Sequence, residues 1–221
     1  MAAVEGVNFP ANQLCISRRS ARFPSMIPAF ILIICAVLYR IVTGLAIISG
    51  TTGLSNFAPM AAIALCSAAY FPPRYRFTVP MITLVVSDVV LNLHYHFSLI
   101  SPFVLSHYIA FALIGWFGFL LRDRAGLKTL LPASIVSSLI FYCLTNTVSW
   151  IFDSGYAKTL AGFIQAQTVG LPVYGGTTPT WMFFRNTLLS DLFFTLLFVA
   201  CMNFGRNSAR ARAGAALPRI A

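Results

Sequence analysis

The sequence predicts an all-α, polytopic membrane protein with six transmembrane helices and both termini in the cytoplasm. Of its 221 residues, 58% are hydrophobic and only 9% are charged, whereas a soluble domain carries about a quarter charged residues. Twelve of the fifteen Lys and Arg residues fall in the two terminal segments or in alternate gaps between apolar runs. Cytoplasmic loops carry such an excess of positive charge, so the alternation also predicts the orientation.

Six apolar runs, bounded by proline, glycine and charged residues, predict the helices in order. They cover about Ile27 to Ser49, Phe57 to Phe71, Phe77 to Leu93, Pro102 to Leu121, Leu130 to Phe152 and Trp181 to Phe204. The domain organisation expected from them is a cytoplasmic N-tail (1–26), a membrane domain (27–204) and a basic, disordered cytoplasmic C-tail (205–221). The second run is short for a span, since the hydrocarbon core requires about 20 residues.

The gaps between these runs are alternately basic and almost free of positive charge. The basic segments are the N-tail (Arg18, Arg19, Arg22), the second gap (Arg74, Arg76), the fourth gap (Arg122, Arg124, Lys128) and the C-tail (Arg206, Arg210, Arg212, Arg219). The first gap has no Lys or Arg, the third has only His94 and His96, and the fifth has only Lys158. Gaps one, three and five are therefore expected on the extracytoplasmic side.

The fifth gap is the only long one. It contains an amphipathic stretch, Ala157 to Leu171, followed by a Gly/Thr/Pro segment, Gly175 to Pro179. A loop of this length usually lies on the bilayer or covers a cavity.

Several function classes are disfavoured. The net charge of +10 does not predict nucleic-acid binding, because the basic residues are dispersed over four segments that topology explains; the anionic inner leaflet is the more natural partner. The five cysteines show no metal-binding spacing, and no cofactor of the protein's own is expected. No P-loop or hydrolase motif occurs, so energised transport would need a separate ATPase.

Four charged residues fall within the predicted spans, and intramembrane charges are functional hypotheses by default. At about 1.5 Å per residue, Arg40, Asp88 and Asp191 lie at similar depths, and Arg185 lies nearer the extracytoplasmic surface. One interpretation is a structural ion pair of Arg40 with Asp191, or with Asp88. The other is that some of this group lines a ligand cavity open to the extracytoplasmic side.

The second run carries small residues at helical spacing, Ala58, Ala62 and Cys66, which favours close helix packing. Cys66 lies near mid-membrane, where its thiol could contact a ligand or a metal ion carried by one. His94 and His96 could share a metal on an extended segment, but no further ligand stands near them in the sequence.

Five segments together resemble a family of uncharacterised bacterial membrane proteins that look like the substrate-binding (S) components of energy-coupling-factor (ECF) vitamin transporters. The segments are Asn56 to Leu65, Ala69-Tyr70-Phe71, Val86-Ser87-Asp88, Tyr156 to Gly162 and Phe184 to Asp191. The resemblance spans about residues 30–204 and implies a six-helix S-component-like bundle in the bacterial inner membrane. It also implies an extracytoplasmic cavity for a vitamin or metal ion, with an ECF-type transmembrane subunit and ATPases as possible partners.

Within that resemblance, Ala58-x-x-x-Ala62 is the nearest match to a patch that docks on the transmembrane partner. Some solitary S-component-like proteins bind cobalamin through a membrane cysteine, which makes cobalamin the leading substrate and Cys66 the candidate ligand to its cobalt.

The resulting hypothesis is a substrate-binding subunit, or a solitary transporter, for a vitamin-like small molecule. The candidate binding residues are Cys66, Asp88, Asn92, Asn146, Trp150, Arg185 and Asn186. Two alternatives stay open: a membrane enzyme that modifies a bound cofactor through Cys66, and a scaffold or assembly protein with no small ligand.

Overall fold

The structure is a computed structural model that describes residues 26–46, 57–172 and 179–215. Within these ranges all regular structure is helical. The helices are α1 (Ile27–Ala46), α2 (Met60–Tyr70), α3 (Pro73–Arg76), α4 (Thr78–His94), α5 (Pro102–Leu120), α6 (Leu127–Phe152), α7 (Leu160–Thr168) and α8 (Thr180–Ala215), with a 3₁₀ turn at Arg122–Arg124. The all-α prediction is confirmed.

Five of the described helical segments are long and apolar enough to cross a membrane. They are Ile27–Leu45, Pro73–His94, Pro102–Leu120, Leu127–Phe152 and Thr180–Arg212, and their mean hydropathy over the best window lies between 1.5 and 2.2. Each coincides with a predicted run. By helix length and hydropathy, the chain is therefore a multi-pass membrane protein.

The second predicted membrane helix has a different role. α2 has 11 residues, about 16 Å of helix, which is roughly half the thickness of the hydrocarbon core. All its residues from Met60 to Ala69 are buried, and it packs against α5, α8 and α6. Small side chains let these helices approach α2 closely, so α2 forms the centre of the bundle.

This placement corrects the expectation for the small-residue patch. Ala62 is fully buried and Ala58 packs against the same core, so the patch is covered by the chain's own helices. In this conformation Ala62 is therefore not available to a transmembrane partner.

One glycine explains how closely α5 approaches α2. A Cβ atom at Gly118 would overlap the backbone carbonyl oxygen of Leu65, and backbone cannot move aside as a flexible side chain can. Gly118 is itself buried, so only hydrogen fits at this crossing of the two helices.

The basic residues gather at one end of the bundle. Arg76 and Arg122 both stack on Phe119, at 4.6 and 5.5 Å from the ring centroid, and Arg206 lies 5.0 Å from the ring of Tyr70. These contacts join α3 to α5 and α2 to α8 at this end of the bundle. We call this end the basic end.

The basic C-tail differs from its prediction over part of its length. α8 continues as helix through Gly205 to Ala215, whereas disorder was predicted from residue 205. Arginine and alanine favour helix, and the contact of Arg206 with Tyr70 holds the turn that follows Gly205 against α2.

Candidate functional site

A cavity of about 590 Å³ opens at the end of the bundle opposite the basic end. Its walls come from the last turns of α4 and α6, the first turns of α5 and α8, the loops that join α4 to α5 and α6 to α7, and Leu171, which follows α7. Small-molecule sites commonly have volumes of about 300–1,000 Å³. We call this space the large cavity.

The large cavity combines hydrogen-bonding groups with aromatic rings. Its polar lining includes two amides, several hydroxyls, an imidazole and a carboxylate: Asn92, Asn146, Ser101, Ser149, His107 and Asp153. Phe97, Phe103 and Phe183 supply apolar walls. Among the described residues the lining contains no lysine or arginine, so it is suited to a ligand with ring and polar groups and without several negative charges.

A second, smaller cavity of about 160 Å³ lies deeper in the bundle. It is lined by Arg40, Ala61 and Thr187 among others, and His107 contributes to its wall as well as to that of the large cavity. The imidazole of His107 stacks on Phe141 with ring centroids 5.5 Å apart. We call this space the small cavity. The side chain of His107 lies between the small cavity and the large cavity.

The intramembrane ion pair joins Arg40 to Asp88. A guanidinium nitrogen of Arg40 donates to Oδ1 of Asp88 at 2.8 Å, and another donates to the hydroxyl of Ser87. The predicted pairing of Arg40 with Asp191 is thus corrected in favour of the alternative with Asp88. Helical spacing gave similar depths for both carboxylates but could not say which faces α1.

Asp191 has no cationic partner in the described part of the chain. Its Oδ1 accepts a hydrogen bond of 3.1 Å from the backbone N–H of Ala62 on α2, and its Oδ2 lies 2.7 Å from the hydroxyl oxygen of Ser138 on α6. The side chain is completely buried. It joins three helices at the centre of the bundle.

Two of the candidate binding residues line the large cavity. Asn92 lies at the end of α4 and Asn146 in α6. The amide nitrogen of Asn146 donates to the carbonyl of Tyr142 at 2.9 Å, and among the described residues its amide oxygen has no donor. That oxygen is available to accept a hydrogen bond from a ligand.

The other candidates lie outside this lining. The indole nitrogen of Trp150 donates to the carbonyl of Ala157 at 2.9 Å, and its ring packs edge-on against Phe163, so Trp150 holds the loop that leads into α7. Arg185 is directed to the amide oxygen of its neighbour Asn186, at 3.3 and 3.4 Å.

Cys66 is fully buried in α2 and lines neither the large cavity nor the small cavity. In this conformation the thiol cannot reach a ligand in the large cavity. Neither a cobalt-ligand role nor a catalytic role for Cys66 gains geometric support.

The amphipathic stretch of the fifth gap is helical and packs over the bundle beside the large cavity. Tyr142 donates to the carbonyl of Gln167 at 2.5 Å, and Lys158 donates to the carbonyl of Asp153 at 2.6 Å. These bonds tie α7 and its leading loop to α6. Of the Gly175-to-Pro179 segment, residues 175–178 lie outside the described residues.

Tyr156, in the loop before α7, also lines the large cavity. Burial raises the pKa of its phenol, and the nearby negative charge of Asp153 adds to the increase. A hydrogen bond between this side chain and the backbone of Leu171 acts in the opposite direction on the pKa.

A family model matches residues 21–213 of the chain. The chain belongs to a family of unknown function, DUF6580. No match was found among the curated proteins or among the solved structures. The family assignment covers the described helical bundle but carries no activity with it.

Sequence reasoning missed several cavity residues of this DUF6580 protein. The sequence pattern does not predict His107, Ser101, Ser149 or Asp153 as binding residues. A usable signal did exist: each of these polar residues lies near the same end of its apolar run. The histidine pair gains no further ligand, since no three His, Cys, Asp or Glu residues of the described ranges come together as a metal site.

Proposed function

We propose that this protein is the substrate-binding membrane component of an uptake system for a small, vitamin-like molecule. The single observation that carries the proposal is the large cavity, about 590 Å³ in volume, at the end of a membrane bundle opposite its basic end. By the positive-inside rule, that end faces away from the cytoplasm, where an uptake protein must first meet its substrate.

The lining supports a neutral or weakly polar ligand. Amide and hydroxyl groups at Asn92, Asn146 and Ser149 can fix the orientation of polar substituents, while Phe97 and Phe183 can cover a ring. A ligand with many negative charges is disfavoured, because the described part of the lining offers no lysine or arginine to pair with it.

The resemblance to S components of ECF transporters supports the same function, and it supplies the expectation of a transmembrane partner and ATPases. Cobalamin stays within the proposal as one substrate. Its cobalt could meet Cys66 only after α2 separates from its neighbours, since that thiol is fully buried. Smaller ring-containing vitamins fit the cavity without such a rearrangement.

The test starts from the protein purified from its membrane into lipid nanodiscs. Any ligand that remains bound is identified by mass spectrometry and by its absorption spectrum. Thermal stability is then measured with a panel of vitamins, cobalamin included. We expect at least one vitamin to raise the melting temperature.

A matched pair of variants locates the binding. Asn146→Phe places a ring in the large cavity and should abolish the stabilisation by the ligand. Asn203→Phe changes an exposed asparagine of α8, and the ligand should still stabilise this variant. Absence of binding by the whole panel, or binding that Asn146→Phe does not affect, would overturn the proposal. For cobalamin, Cys66→Ser should alter the absorption spectrum if the thiolate is a cobalt ligand.

A further inference from the structure

If Asp191 were ionised, the hydrogen bonds around it would need one hydrogen atom more than the neighbouring groups provide. The hydroxyl oxygen of Ser138 lies 3.0 Å from the carbonyl oxygen of Ser134 and 2.7 Å from Oδ2 of Asp191. Both neighbours are acceptors when Asp191 is ionised, but a serine hydroxyl has a single hydrogen to donate. One of the two contacts must then lack its hydrogen.

A neutral carboxylic acid satisfies every contact. Its carbonyl oxygen Oδ1 accepts from the N–H of Ala62 at 3.1 Å. Its hydroxyl at Oδ2 donates to Ser138, whose own hydrogen is donated to the carbonyl of Ser134 one turn earlier in α6. Hydroxyls of serine in membrane helices commonly make this bond to the preceding turn.

The surroundings also disfavour an ionised group, because a buried charge needs a partner. Several charged or titratable residues lie on α8 and on the elements packed against it. They are Cys35, Tyr39 and Arg40 on α1, Cys66 and Tyr70 on α2, Lys128, Tyr142 and Cys143 on α6, and Arg185, Cys201, Arg206, Arg210 and Arg212 on α8, whereas α7 has none. On α8 itself, Arg185 is directed to Asn186 and Arg206 stacks on Tyr70. Arg40 forms its ion pair with Asp88, and none of the described cations forms an ion pair with Asp191.

We propose that Asp191 is a proton-binding site at the centre of the bundle, where the bound proton joins α8 to α6 beside the start of α2. Release of the proton would leave a carboxylate that competes with Ser134 for the single hydrogen of Ser138. Protonation is therefore expected to tighten the contact between these helices, and deprotonation to loosen it.

The cavities supply a route for the proton. The small cavity reaches Ala61, the residue before Ala62, and Thr187, one turn before Asp191 on α8. At about 160 Å³ it has room for a few water molecules at roughly 30 Å³ each. Its lining is more apolar than polar, and Arg40, His107 and Thr187 supply the polar side chains that such waters could contact. His107 separates it from the large cavity and is a side chain able to take up and pass on a proton.

Infrared spectroscopy of the protein in nanodiscs tests the proposal without any added ligand. A neutral carboxyl group has a C=O stretching band that a carboxylate lacks, and the band moves when the acid hydrogen exchanges with deuterium. At neutral pH we expect this band in the wild-type protein and in Asp88→Asn. It should be lost in Asp191→Asn, an isosteric change that keeps a donor toward Ser138.

A second pair of variants keeps the test valid if Asp191→Asn does not fold. Ser138→Ala removes the acceptor of the acid hydrogen and should shift the band to higher frequency. Ser137→Ala, whose hydroxyl donates to Ala133 at 2.8 Å, should leave the band unchanged. Replacing His107 by leucine should slow the deuterium exchange.

Three results would overturn the proposal: no such band in the wild-type protein at neutral pH, a band that persists in Asp191→Asn, or a band that Ser138→Ala does not shift. A melting temperature that rises with sodium, but not with choline, and only while Asp191 is present would also overturn it and indicate a cation site. None of these results depends on vitamin binding, so failure here is distinguishable from failure of the proposed function.

Discussion

The guanidinium group of Arg40 on α1 donates a hydrogen bond of 2.8 Å to the carboxylate of Asp88 on α4, within the membrane-spanning part of the bundle. The side chains are 19% and 8% exposed, so neither charge is fully solvated. α1 and α4 are neighbours, and the pair fixes their relative height. In lipid, separation of the two helices would leave two uncompensated charges.

Removing one member of this pair should destabilise the protein more than removing both. Asp88→Leu leaves the Arg40 cation without its partner, and we expect a loss of about 3 kcal/mol, the lower part of the range for breaking a buried pair. The double variant Arg40→Leu/Asp88→Leu should recover much of that loss. Thermal or denaturant unfolding in nanodiscs measures the cycle; equal losses in single and double variants would contradict a stabilising pair.

A glycine at the α2–α5 crossing gives the second prediction. Gly118→Ala should destabilise the fold by roughly 1–3 kcal/mol, because the new methyl group overlaps the backbone carbonyl of Leu65. This loss should appear although alanine is the better helix former.

Gly115→Ala is the matched control, one turn away on the same helix. Its Cβ would meet the ring of Phe77 at 3.0 Å, and that half-exposed side chain can move aside. We expect the Gly115 variant to unfold close to the wild-type temperature. A Gly118 variant as stable as the control would show that α5 can shift away from α2.

The helical runs were predictable because they depend on local hydrophobicity and on helix-ending residues. Pro102, for example, begins α5 in both the prediction and the structure, and Phe152 ends α6 in both. Even the amphipathic stretch before Leu171 was visible in the sequence and forms α7. Such features need no knowledge of which helix lies beside which.

The pairing of groups across helices was not predictable. Arg40, Asp88 and Asp191 were recognised as intramembrane charges, but their partners depend on the rotation of each helix about its axis. The same limit applies to Cys66, whose depth was predicted without its complete burial by α5, α6 and α8. The large cavity escaped prediction in part for this reason, since its lining comes from the ends of four helices and from three connecting segments.

Trp150 gives a prediction about the loop that covers the bundle. Trp150→Phe removes the hydrogen bond from the indole to the carbonyl of Ala157, 2.9 Å long, while keeping a ring against Phe163. A net loss of about 1 kcal/mol would speed amide hydrogen exchange in residues 156–168 roughly fivefold, since 1.4 kcal/mol corresponds to a factor of ten.

Trp116 serves as the control for that change, because it is an exposed tryptophan on α5 far from the loop in sequence. Trp116→Phe should leave the exchange of residues 156–168 unaltered. If both variants behave alike, the indole of Trp150 does not hold the loop.

The orientation of the bundle gives the last prediction, and it also decides from which side the large cavity is reached. Ser98 is exposed in the loop between α4 and α5 and lines that cavity, whereas Lys128 is exposed near the start of α6 at the basic end. Because cytoplasmic loops carry the excess of positive charge, Ser98→Cys should react with a membrane-impermeant thiol reagent in intact cells. Lys128→Cys should react only after the membrane is permeabilised.

Both changes are made in a background from which the five native cysteines have been removed, and the readout is the fraction of each protein labelled. Labelling of Lys128→Cys but not of Ser98→Cys in intact cells would place the cavity on the cytoplasmic side, which is incompatible with a protein that captures its substrate from outside.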